Sequence, residues 1–302
     1  MGTFGDSWTL TKTAFRMIKE DKALLIFPLV SGLSALGILA MFVVGLFSIM
    51  FWAHLTGTTF QVVMGVLSLV IYFVLWIVSV YFTGALMGAA RMKLEGGQPT
   101  FHDGMVAARA RAGKLVAWAL ISGTIMLVIR AIAARFRGIT GALIGIAAGA
   151  TWGAATYFII PVLMFEEQGA WASFKRSGSL FVHTFGKTMI SNLAMALILG
   201  AGFVGGILLL FGGVLLMLHG LFALGIVLLV AGLAVIVFMA ILSSAAEGVL
   251  RVALYCYGTT GRVTNGLIPP QYLGAVRSSS GGLTYGGAPP PPPLPPMARP
   301  LP

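Results

Sequence analysis

Few residues in this 302-residue chain can do acid–base, metal or nucleophilic chemistry: eight acids, four histidines and one cysteine. The acids are Asp6, Glu20, Asp21, Glu95, Asp103, Glu166, Glu167 and Glu247, and each lies at or beyond the end of an apolar run. Proton- or sodium-coupled carriers place a carboxylate within the membrane. None falls mid-run here, which counts against a driven pump or antiporter. The histidines (His54, His102, His183 and His219) show neither H-x-x-x-H nor H-E-x-x-H spacing. His102, Asp103, Glu166 and Glu167 would bind a metal only if two polar links met, and solvated charges at helix starts are the simpler reading. A single cysteine, Cys256, excludes an intramolecular disulfide and a Cys-based metal cage. No G-x-S-x-G, P-loop or dinucleotide fingerprint stands in a suitable setting. The expectation is a non-enzymatic protein with no cofactor and no metal.

The elements that must position these residues are membrane spans. Apolar residues make up 58% of the chain and charged residues 9%, where a soluble domain carries about 25% charged residues. Mean hydropathy is +0.98. Six apolar runs, roughly 23–51, 62–90, 115–134, 139–165, 188–217 and 221–245, are long enough to cross a bilayer as helices. The short link His219–Gly220 makes the last two a tight antiparallel hairpin. The first run follows about twenty amphipathic residues and reads as a retained anchor rather than a cleaved signal. The predicted fold is all-α, a polytopic bundle over residues 1–260. Residues 261–302 form a Gly/Ser/Pro-rich tail with Pro289–Pro293 unbroken, a composition expected to be disordered or polyproline II.

Three polar segments flank the spans on one side. Residues 4–22, 101–114 and 166–187 each read as an amphipathic helix on the membrane surface. In the second, Thr100 and Asp103 have capping-box spacing, with Asp in place of Glu or Gln. In the third, Trp171, Phe174, Gly178, Phe181 and Phe185 recur at helical spacing. Sixteen Lys and Arg fall on the side of the termini and three (Arg130, Arg135, Arg137) on the other. By the positive-inside rule the termini are cytoplasmic. The net charge of +11 is thereby assigned to a membrane face, and nucleic acid is not expected. Arg109, Arg111, Lys114, Lys175, Arg176 and Lys187 are the candidate contacts to anionic lipid headgroups. Trp52, Trp118, Trp171, Tyr255 and Tyr257, near span ends, are expected as interfacial anchors.

Glycine recurs at Gly141, Gly145, Gly149 and Gly153, every fourth residue along the fourth span. Such a face lets a second backbone approach closely, and it predicts a packing seam with this helix at the centre of the bundle. The Gly-Gly pairs 205–206 and 212–213 are expected to be packing or flexing points. A weak internal repeat is also present. Phe101 with Gly113-Lys114 is matched by Phe174 with Gly186-Lys187, and Gly88, Arg91 and Leu94 by Gly248, Arg251 and Leu254. The unit would be a surface helix followed by a two-span hairpin.

The stretches SWTLTKTAFRMIKEDKALLIFPLVSG and TYFIIPVLMFEEQGAWASFKRSGSLFVHTFGK resemble a bacterial family of six-span integral membrane proteins of unknown function. In layout the chain is similar to the membrane domain attached to some glycerophosphodiester phosphodiesterases. The shared passage is Pro161, Glu166, Glu167, Gly169, Ala172 and Ser173 or Ser177. The resemblance covers roughly residues 4–260, implies the six-span fold and carries over no catalytic residue. The expected function is a multi-pass protein of the bacterial inner membrane, lipid-associated or a scaffold, with anionic lipids and a membrane-protein partner or second copy as partners. The alternative is a passive transporter or channel with its pathway along the glycine seam.

Overall fold

A computed structural model of the chain describes residue 18 and residues 21–53, 57–136 and 138–260. Side chains at 50–53, 183–195, 197, 198, 257 and 260 are not among those described, which leaves out those of the expected anchors Trp52 and Tyr257. The first expected surface helix falls almost wholly outside the described residues, as do the tail 261–302 and Arg137. The described residues form eight α-helices and no strand: α1 (Ala23–Ala53), α2 (Gly57–Leu94), α3 (Phe101–Ala110), α4 (Ala112–Ala134), α5 (Ile139–Ala155), α6 (Ile159–Phe165), α7 (Ala170–Leu218) and α8 (Phe222–Thr260). Six stretches are long and apolar enough to cross a membrane: Ala23–Ile49, Gly57–Leu94, Ala112–Ala134, Ile139–Phe165, Leu199–Leu218 and Phe222–Cys256. The chain has the all-α, six-span architecture of a multi-pass membrane protein.

Exposed large apolar side chains occupy 26–49 on α1, 62–74 on α2, 120–146 across α4 and α5, and 204–238 across α7 and α8. On α8 they run from Phe222 to Phe238, about 24 Å of helix, close to the roughly 30 Å of a bilayer's hydrocarbon core. Beyond this belt the helices turn their apolar residues inward. Leu24 and Phe27, the end of α2, Leu115 and Trp118, residues 157–164, and Val249 to Tyr255 form one buried core at the end of the bundle that carries the start of α1. Outside the belt only Val106, Trp171 and Val182 remain as exposed large apolar groups among the described residues.

Three boundaries differ from expectation. The expected surface helix 101–114 stops at Ala110, and Arg111 (φ −115, ψ 11) turns the chain into α4, so Lys114 belongs to the span. The fourth span is broken at 156–158. Pro161 lacks the N–H that would bond the Tyr157 carbonyl, which weakens the helix on its N-terminal side and favours a break there. The buried Ser177 bridges the break: its hydroxyl donates to the Ala155 carbonyl (2.8 Å) and accepts from the Phe158 N–H (3.1 Å). The third surface segment and the fifth span are one unbroken 49-residue helix, α7. No proline interrupts it, and Gly178 and Gly186, at about 1 kcal/mol each against alanine, are too weak to stop it. A change from one apolar face to apolar all round needs no break in the backbone.

Glycine packing sits elsewhere than on α5. A Cβ on Gly141 would strike the Phe136 carbonyl within its own hairpin, one on Gly145 would meet the Ala133 methyl at 3.3 Å, and Gly149 and Gly153 have nothing within 4 Å. The close seam is between α7 and α8. A Cβ on Gly213 would lie 2.8 Å from the Gly225 carbonyl, and one on Gly225 2.8 Å from the Gly213 carbonyl. Gly206 and Gly232 repeat this two turns away, at 3.2 and 2.9 Å. Of the two Gly-Gly pairs, Gly206 and Gly213 are the packed members, and Gly205 meets nothing. The hairpin closes at Gly220, whose φ of +82 suits glycine. A second close approach sets α3 across α1 and α2: a Cβ on Gly104 would strike Phe27 and the Ala85 carbonyl.

Candidate functional site

The buried end of the bundle gathers most of the charge. α3 is held by the capping box read from the sequence. The Thr100 hydroxyl and N–H donate to the Asp103 carboxylate at 2.7 and 2.8 Å, and the Asp103 N–H donates back at 3.3 Å. The two Thr100 donors hold the Asp103 carboxyl below its usual pKa, the hydroxyl most strongly. A depressed carboxylate stabilises at pH above its unfolded value and loses that contribution as the pH falls through the folded one. The α3 amides are therefore expected to lose hydrogen-exchange protection on acidification below the ordinary Asp range, and Asp103→Asn should flatten that dependence.

The link between α6 and α7 is the hub. Glu166 accepts from the Tyr255 hydroxyl at 2.8 Å and pairs with Arg176 at 3.5 Å, and its backbone carbonyl accepts from Lys114 at 3.3 Å. Glu167 pairs with Arg111 at 3.3 Å. Two residues are thus gripped by side chains from α4, α7, α8 and the α3–α4 junction. Around them the two arginines of the repeat frame play matching parts. Arg91 lays its guanidinium 4.5 Å from the centre of the Phe165 ring, and Arg251 lies 4.7 Å from that of Tyr157. Each is also paired with an acid one turn away, Glu95 and Glu247. Gly88 and Gly248 both sit at close approaches, and Leu94 and Leu254 are buried. The Phe101/Phe174 half of the frame does not correspond in this way: Phe101 opens α3, whereas Phe174 lies inside α7.

A stack of rings leads from this core to the surface. Trp118 on Trp152, Trp152 on Phe174 and Phe174 on Trp171 stand at 6.0, 5.5 and 5.6 Å, each pair within 25° of parallel. Trp171 is 69% exposed, and Lys175 lies over its ring at 5.7 Å. Trp118, expected as an interfacial anchor, is buried, as is Tyr255, whose hydroxyl is spent on Glu166. A ring at a span end suits either place, and only the opposite helix decides.

The six basic candidates therefore divide. Arg111, Lys114 and Arg176 are held by the Glu166–Glu167 link. Arg109 and Lys175 are exposed and pair with no carboxylate among the described residues. Lys187 lies on α7 with its side chain outside those described. Of the four residues weighed as a metal cluster, Asp103 is tied to Thr100, Glu166 to Tyr255 and Arg176, and Glu167 to Arg111. No group of three His, Cys, Asp or Glu among the described residues is placed to hold a metal. The sequence reading missed Glu166 as the hub. Its only signal was position, five residues beyond Pro161 and directly ahead of a helix.

The model of the DUF6159 family, a family of unknown function, matches residues 58–265. The chain belongs to the DUF6159 family. In this DUF6159 protein the match begins in α2 and takes in every helix from there to the end of α8, so Arg91, the Glu166–Glu167 link, the ring stack and Tyr255 all lie inside it. No curated protein and no solved structure matches the chain.

Proposed function

We propose that this DUF6159 protein is a non-enzymatic, lipid-associated protein of the bacterial inner membrane, with the charged end of its bundle in the cytoplasmic leaflet. The observation that carries this reading is the exposed Lys175 lying over the exposed Trp171 ring beyond the apolar belt, with a second exposed cation, Arg109, near the end of α3. Every acid of that end among the described residues is already engaged, by Lys93, Arg91, Thr100, Arg176, Arg111 or Arg251. What is left over is positive charge beside an amphipathic ring, which suits a phosphate-bearing headgroup. The bias of sixteen Lys and Arg to three supports cytoplasmic termini.

Native mass spectrometry of the purified protein, titrated with dioctanoyl phosphatidylglycerol and with dioctanoyl phosphatidylcholine, tests this. The wild type should prefer the anionic lipid. Replacing Arg109 and Lys175 by alanine should weaken its binding by about fivefold per cation, from roughly 1 kcal/mol each. An unchanged double variant would refute the lipid reading at this site.

A further inference from the structure

Two of the six candidate cations, Arg111 and Arg176, are paired with acids of the 166–167 link, and these two acids differ sharply in how they are held. The Glu166 side chain is 15% exposed and accepts from the buried Tyr255. The Glu167 side chain is 86% exposed and touches Arg111 through a single 3.3 Å contact. An exposed single-contact pair is weak and screened by salt. A phosphate offers the same guanidinium two oxygens in a bidentate geometry that a one-point carboxylate contact does not use. Arg109 lies two residues before Arg111 in the chain, and Glu167, the partner of Arg111, sits in the non-helical link four residues before Trp171 and eight before Lys175.

We infer that Glu167 is an internal competitor for the headgroup: it occupies Arg111 in the free protein and is displaced when an anionic lipid phosphate binds between Arg111, Arg109 and Lys175. Glu166 stays in place and keeps Arg176 and Lys114 as structural contacts. This rests on the lipid reading above and adds to it a built-in restraint on affinity. Arg111 is then a conditional ligand, whereas Arg109 and Lys175 are held by no carboxylate of the described residues.

The test is Glu167→Gln in the full chain, titrated with dioctanoyl phosphatidylglycerol. The neutral amide should release Arg111 and tighten binding about two- to fivefold, with the gain shrinking as ionic strength rises. The thermal midpoint without lipid should not move, because no buried group depends on Glu167. Arg111→Ala should weaken binding and abolish the gain from Glu167→Gln when the two are combined. Inorganic phosphate should not displace the lipid; displacement by phosphate alone would overturn the assignment to a lipid. Should Glu167→Gln leave affinity unchanged or lower it, the competitor role is wrong. The two ideas separate cleanly. If Lys175→Ala weakens binding and Glu167→Gln does not tighten it, the lipid reading stands without the restraint. If Glu167→Gln tightens binding and Lys175→Ala has no effect, the restraint stands and the placement of the headgroup at Lys175 fails.

Discussion

Leucine at Gly213 or Gly225 is expected to part α7 from α8 and cause a large loss of stability. At these positions even an added Cβ would sit 2.8 Å from a carbonyl oxygen of the opposite helix. The obstacle is backbone, so no rotamer change relieves it. Overpacking of a rigid site costs about 1–3 kcal/mol and occasionally more. The helix-propensity gain of roughly 1 kcal/mol on replacing glycine offsets only part of that. Membrane helices associate through such close contact rather than through a hydrophobic drive, so the loss falls on the contact that holds the hairpin together. Gly149→Leu and Gly153→Leu, with nothing within 4 Å of either site in the chain, should not lower the unfolding midpoint of the detergent-solubilised protein. Equal losses at all four positions would show that the seam has been misplaced.

Glu166→Ala is expected to destabilise as well. It removes the acceptor for the buried Tyr255 hydroxyl and the partner of Arg176. A hydrogen bond to a charged group contributes about 1.5–3 kcal/mol, and the Arg176 pair, with Arg176 about a third exposed, adds at most about 1 kcal/mol. Glu166→Gln retains an acceptor for Tyr255 and loses only the charge, so it should be the milder change. Denaturant titration should rank wild type above Glu166→Gln and Glu166→Ala lowest. If Gln and Ala were equally damaging, the charge on Arg176, not the Tyr255 bond, would dominate the hub.

Much of the architecture was legible because a bilayer imposes a length. Each apolar run had to reach about 20 residues, and charges marked where each run stopped, so the six spans follow from composition. The capping box at Thr100–Asp103 was legible for a similar reason: both partners lie within four residues. What stayed hidden depends on pairs of helices. The Gly141–Gly153 repeat is conspicuous within one helix, yet half of it faces outward. The true seam uses glycines seven apart, 206 and 213 on one helix and 225 and 232 on the other, placed symmetrically about the turn at His219–Gly220. Neither helix alone reveals it; the signal is the mirror relation across the hairpin. The same limit explains Trp118, whose place at a span end suits an anchor until Trp152 is found against it. It also explains the candidate cations. Six basic residues look equivalent in sequence, and only the position of the 166–167 link shows that it holds three of them and leaves Arg109 and Lys175 without a carboxylate among the described residues.

The lipid reading is tested most directly by a high-resolution structure in nanodiscs containing phosphatidylglycerol. It predicts headgroup phosphate density within hydrogen-bond reach of Arg109 and Lys175, beside the Trp171 ring. Ordered headgroups only at the opposite end, near Arg130 and Arg135, with none at Arg109 or Lys175, would contradict it.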